Sequence, residues 1–221
     1  MEVDGGFFST ITLVLAGEFY AMVLFLAIRM APWRRLRDSE QLHVFLGACV
    51  SLLLLWHMRV SVQPGLVFHL LGVTSVTLMF GWSLAIVAST LALLGVTLNS
   101  GFGWDGFVMN AISTGVIPVT LSQMLLVLIR SLLPKHFFVY VLANAFMTAG
   151  IVALISGYLV TGLLVVSGVY SYFELSQTFL PFFPLMFLPE AILNGWIMTI
   201  MISLRPHWVS SFSDELYIKG K

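Results

Sequence analysis

Charged side chains are scarce in this sequence. Only 9% of its 221 residues are Asp, Glu, Lys or Arg, while 59% are hydrophobic; a soluble domain carries about 25% charged residues. With a mean hydropathy of +1.01, the chain reads as a polytopic membrane protein. Net charge is zero, which leaves no basic surface for nucleic acid. The single cysteine, Cys49, sits in an apolar run, so disulfides and thiolate metal clusters are both excluded within one chain. Enzyme signatures are missing as well. There is no HExxH, no Walker A and no serine-nucleophile loop, and Gly101-Phe102-Gly103-Trp104-Asp105 has only a superficial likeness to a Gly-x-Gly-Asp acid motif. Without an ATP-hydrolysing motif, any uphill transport would have to draw its energy from a partner or an ion gradient. No catalytic residue and no permanently bound cofactor are expected. The opening residues Met1 to Gly6 are acidic, whereas a cleavable signal has a basic start.

What the sequence has in abundance is apolar runs. A spanning helix needs about 20 such residues. The runs predict an all-α transmembrane bundle, one integral membrane domain over 1–221, with about seven spans at 7–28, 42–56, 66–80, 82–98, 107–133, 137–169 and 179–204. The third and fourth are short and almost abut at Phe80-Gly81-Trp82. Gln63-Pro64-Gly65 reads as a turn, and Asn99 to Gly106 as a Gly-rich loop. Pro118 predicts a kink in the fifth span. The run 137–169 is too long for one upright helix, so it is either one tilted or broken span or a span followed by a re-entrant piece. Ala145, Ala149, Ala153, Gly157 and Thr161 recur every four residues and form a smooth ridge for close helix packing.

Seven spans segregate the basic residues. Arg29, Arg34, Arg35, Arg37, Arg130, Lys135, Arg205, Lys219 and Lys221 fall on one side and only Arg59 on the other. Because Lys and Arg mark the cytoplasmic side, the N-terminus is expected outside, with the loops at 57–65, 99–106 and 170–178. The C-terminus is expected in the cytoplasm of a bacterial cell, the chain lying in its inner membrane.

Few groups remain that can do chemistry. His69 lies near the outer end of the third run, on the same side as Glu2, Asp4, Asp105 and Asn110. Nitrogen and oxygen donors of this kind suit divalent transition metals. No pair is spaced as a helical ligand set, and an interfacial histidine bonded to a loop carbonyl is the ordinary alternative. His43, His57, His136 and His207 sit at membrane edges, where polar tips reach water. Glu18 and Glu190 are intramembrane acids, each expected to face protein or a water cavity, paired or protonated. Glu190 follows Pro189, which frees a backbone carbonyl and suggests a break in the last helix.

Together these pieces resemble the CbiM-type substrate-binding membrane components of energy-coupling-factor transporters for cobalt and nickel. The likeness is carried by Met1-Glu2-Val3-Asp4-Gly5-Gly6-Phe7, by His69 and Gly72 with the Phe80-Gly81-Trp82 junction, by Gly103 to Gly106 with Val108-Met109-Asn110, and by Pro189, Ala191, Asn194 and Gly195. The resemblance implies a metal held by the amine of Met1, by residue 2 and by His69, with Asp4, Asp105 and Asn110 in support. It implies transport of a divalent ion such as cobalt, nickel or zinc. The partners it implies are a transmembrane coupling protein, cytoplasmic ATPase subunits and the lipid bilayer. Glu2 stands where the family has histidine; its oxygen is a harder, less nickel-like donor. Asn194 stands where the family has glutamate, and Glu190 lies one turn earlier on roughly the same face. Two further readings accompany this one: a stand-alone relative acting as a metal-related sensor or assembly factor without an ATPase, and an intramembrane enzyme using His69 with Asp105 or Glu190.

Overall fold

A computed structural model of the chain describes residues 2–63, 65–100 and 104–218. Met1, Pro64, the Gly101 to Gly103 part of the expected Gly-rich loop, and Lys219 and Lys221 lie outside the described residues. Long helices dominate: α1 (Thr10–Met30), α2 (Ser39–His57), α4 (Trp82–Ser100), α5 (Trp104–Leu132), α6 (Phe137–Val166) and α8 (Phe183–Leu204). Two short helices join them, α3 (Val73–Phe80) and α7 (Tyr172–Thr178). Among the described residues six helical stretches are long and apolar enough to cross a membrane, the last running from Tyr172 to Leu204 through α7 and α8. Their outward faces carry Ile11, Leu15, Phe25, Leu54, Val127, Leu185 and Trp196 exposed, an apolar jacket suited to lipid rather than water.

The stretch 66–80, expected as a helical span, is not one. It begins as strand β3 (Leu66–Phe68), which pairs antiparallel with β1 (Glu2–Val3) on one side and β2 (Val60–Gln63) on the other. It then runs without regular structure through His69 to Gly72 and turns helical only at Val73. The switch needs Gly72, whose φ of 68° is a left-handed conformation that costs other residues about 1–2 kcal/mol; a Cβ there would also sit 2.8 Å from Leu55 Cδ2. The eight residues of α3 rise only about 12 Å, too little to cross a bilayer alone.

The stretch nevertheless joins the two ends of the bundle. β3 lies with β1 at one end. At the other, the carbonyls of Met79 and Leu78 accept from Ser210 N (2.9 Å) and Ser211 N (3.2 Å) in the tail, and Arg35 Nη1 donates to Met79 O at 2.9 Å. All eight residues of α3 are buried, packed against α2, α4, α5, α6 and α8. Its hydroxyls find partners there: Thr74 with Ser122 on α5 at 2.9 Å, Ser75 with Asn194 on α8 at 2.8 Å, and Thr77 with its own Val73 carbonyl at 2.8 Å. A central helix walled by other helices needs no polar face.

The run 137–169 resolves into one continuous helix, α6, with a π-helical stretch at Tyr140–Met147. Its small-residue ridge is buried throughout and α6 packs closely on α8. In α5 a π-helical stretch, Ala111–Val116, precedes Pro118; the wider turn accommodates a residue that has no N–H to offer. The expected break at Glu190 is absent, since α8 continues through Pro189. Glu190 is fully buried, but Glu18 is not: it is exposed on α1, contrary to the expectation that it faces protein or a water cavity.

Candidate metal centre

His69 is reached from the chain through three layers of restraint. First, β1 lies along β3 with Glu2 opposite Val67 and Val3 opposite Leu66, which brings the N-terminal segment to within two residues of His69. The free edge of β1 is closed by a side chain. Val3 N donates to Asn110 Oδ1 at 2.8 Å and Asn110 Nδ2 donates to Val3 O at 3.0 Å, so the amide of Asn110 acts as one more strand residue. Gly5 makes this approach possible, because a Cβ there would lie 2.2 Å from the Asp105 carbonyl carbon and 2.4 Å from Gly106 N.

Second, the His69 ring is enclosed. Only 3% of the residue is exposed, and the Trp56 ring packs on it with centroids 5.6 Å apart. His69 Nδ1 lies 2.9 Å from the Leu70 carbonyl. A carbonyl only accepts, so Nδ1 carries the hydrogen, and in the neutral ring the lone pair then resides on Nε2. This is the arrangement that orients metal-binding imidazoles, with one nitrogen donating to a carbonyl and the other turned to the metal. Burial pushes the His69 pKa well below the usual histidine value, which keeps the ring in the neutral form that metals need. The carbonyl bond also fits the ordinary alternative of a histidine bonded to a loop carbonyl.

Third, the backbone after His69 is clamped. Glu190 Oε2 accepts from Leu71 N at 2.8 Å and Oε1 from Gly72 N at 2.6 Å. Asn194 Nδ2 donates to Glu190 Oε1 at 2.8 Å, and Asn194 Oδ1 accepts from Ser75 N at 2.9 Å. From the other side Trp56 Nε1 donates to Leu71 O at 2.8 Å. The carboxylate of α8 thus occupies the N-terminal end of α3, where free N–H groups collect. The neighbouring Asn194 completes the set, so Glu190 and Asn194 of the last helix both serve the segment that follows His69.

The other anticipated residues part company here. Asp4 is exposed, and its Oδ1 accepts from Gly6 N at 2.9 Å, capping the turn Gly5–Phe7. Asp105 is exposed at the start of α5; its backbone, rather than its carboxylate, meets the N-terminal segment through Gly5. Among the described residues no three His, Cys, Asp or Glu side chains gather as a metal cluster. Met1 lies outside the described residues, and Glu2 enters through its backbone in β1. The remaining histidines stay at helix ends: His43 against the Ser39 carbonyl, His57 as the last residue of α2, His136 accepting from Phe138 N at 3.2 Å, and His207 on Glu40 at 3.1 Å. Trp56 was not anticipated. A tryptophan near the end of an apolar run reads as an interfacial anchor, and nothing local distinguishes it from one that encloses an imidazole.

Two solved structures share the fold. A truncated transition metal transporter matches with a TM-score of 0.71 at 19% identity, covering 92% of this chain and 99% of that one. A second transition metal transporter matches with a TM-score of 0.71 at 18% identity, covering 92% of this chain and 93% of that one. No protein with a curated description matches the chain. The model of the CbiM family, described as the cobalt uptake substrate-specific transmembrane region, matches residues 3–208, a span that begins at Val3 in β1 and takes in His69, Glu190 and Asn194. On that match the chain belongs to the CbiM family of cobalt uptake membrane components.

Proposed function

We propose that the chain captures a divalent transition-metal ion at the β1–β3 end of the bundle, with the amine of Met1, a donor from residue 2 and Nε2 of His69 as ligands. Family membership makes it the membrane component of a transition-metal uptake system that works with partner components. The finer assignment is a substrate-binding subunit of energy-coupling-factor type, served by a transmembrane coupling protein and cytoplasmic ATPases. The observation that carries the site is His69 itself: buried, with Nδ1 spent on the Leu70 carbonyl, and flanked by a strand that starts at Glu2. The ions this donor set favours are cobalt, nickel or zinc, with Glu2 tilting it toward the harder end of that group. Asn110 supports the site by holding Val3; Asp4 and Asp105 contribute through the shape of the N-terminal turn. Binding consumes an unprotonated amine, so affinity falls as pH drops below about 8.

Metal titration of the purified protein tests this. The native chain is expected to bind cobalt, nickel or zinc, and His69→Ala, or one residue added before Met1, is expected to weaken binding at least tenfold. Native-like binding by both variants sinks the site.

A further inference from the structure

We propose that the outward face of α1 around Glu18 is a docking face for a membrane helix of a different chain, and that this helix carries a Lys or Arg at the depth of Glu18. The inference rests on the reading of this chain as one component of a multi-chain transporter, but not on the metal site.

The geometry isolates the carboxylate. α1 turns its buried residues, Tyr20, Val23 and Ala27, toward the bundle, and Tyr20 bonds Thr90 on α4 at 2.9 Å. Glu18 is two positions before Tyr20, about 200° away around the helix, and so faces directly outward. It is exposed, and it makes no hydrogen bond or ion pair among the described residues. Its neighbours one turn either side, Val14, Leu15 and Met22, are exposed apolar side chains, so this is lipid-facing surface. Glu18 lies about 12 Å along the helix from Thr10 and about 18 Å from Met30. A short acid reaches water at neither end. Acidic side chains at such depth turn toward protein and pair, yet here the protein is on the opposite side of the helix.

The shape of the face favours a helix as the occupant. Gly17 and Ala21, one turn apart, flank the carboxylate, and a Cβ added at Gly17 would meet nothing within 4 Å. Small residues four apart let a second backbone come close. A second copy of this chain does not supply the complement: in the six membrane-length stretches, Lys and Arg occur only as Arg29 and Arg130, each in the last turn of its helix. A cation at the depth of Glu18 therefore comes from another polypeptide.

Full-length protein in liposomes, mixed with a fluorescent Leu/Ala transmembrane peptide bearing one central Lys, tests the pairing by energy transfer. The Lys peptide is expected to associate at least tenfold more tightly than the same peptide with Leu at that place, and the ratio is expected to fall to about one with Glu18→Leu. Being on the lipid face, this substitution leaves folding intact, and purified Glu18→Leu is expected to bind metal like the native chain. In cells that express the whole uptake system, a photo-crosslinker at Met22 is expected to join a Lys- or Arg-bearing transmembrane segment, and Glu18→Leu is expected to cut metal uptake at least tenfold. Equal association of the two peptides overturns the proposal. So do a Glu18-dependent homodimer, cross-links to lipid alone, or normal uptake by Glu18→Leu. A native chain that binds no metal yet prefers the Lys peptide would sink the metal reading and leave this one standing.

Discussion

Glu190 spends both carboxylate oxygens on donors: Leu71 N, Gly72 N and the Asn194 amide. Replacing it by Gln puts an NH2 group against one of those N–H groups, and an unsatisfied buried pair costs about 1–3 kcal/mol. Glu190→Gln is expected to lower the melting temperature in detergent. Because the clamped residues follow His69 directly, it is also expected to weaken metal binding about 10- to 100-fold, the usual effect of disturbing the groups that orient a ligand; calorimetric titration checks it. A second expectation concerns pH. The folded state holds the His69 pKa well below its ordinary value because of burial, so protonation opposes the fold. The stability His69 contributes is present above the unfolded histidine pKa, about 6.5, and is lost as pH falls from there toward the lowered value. In metal-free protein, NMR of labelled histidine should show His69 still neutral below that point; a midpoint at 6.5 or above would contradict the burial argument. At this scale the sequence singled out His69 from its place near the end of an apolar run. It did not disclose Trp56 or the clamp, whose bonded partners are up to 119 positions apart.

The element that sets this chain apart is α3, a buried strut fastened at both ends. Glu190 and Asn194 hold its start, and Arg35, Ser210 and Ser211 hold the carbonyls of Leu78 and Met79 at its end. Arg35, counted in the sequence only as a sign of orientation, also gives its guanidinium to the carbonyl of Trp208 at 2.8 Å, tying the tail to α3. The entry to α3 depends on one left-handed residue. Gly72→Ala combines that backbone penalty of about 1–2 kcal/mol with contact against Leu55, and thermal unfolding is expected to shift down accordingly. An unchanged melting temperature would mean that the 69–72 segment relaxes freely. The sequence predicted a helix here because Leu66 to Phe80 is largely apolar; hydrophobicity alone does not separate strand, extended chain and helix in a run this short.

For the whole molecule, the contacts place β1, the β2–β3 hairpin and Gly5 with Asp105 at one end, and Arg35, Arg130 and the Arg205 to Ser211 tail at the other. Positive charge at the second end predicts that it faces the cytoplasm. A membrane-impermeant maleimide applied to intact cells should label Asp105→Cys and spare Lys135→Cys, both exposed sites; the reverse pattern would invert the orientation. The sequence by itself determined the membrane class, the long apolar helices, the charge asymmetry and the nomination of His69, because each depends on composition within one segment. Only the tertiary structure decided that 66–80 is a strand and a strut, that Asn110 seals β1, that Glu190 turns inward to hold the His69 segment and that Glu18 turns outward. The physical reason is that these helices are apolar on nearly every side, so no amphipathic stripe announces which face meets protein and which meets lipid. That choice is made by neighbours distant in the chain.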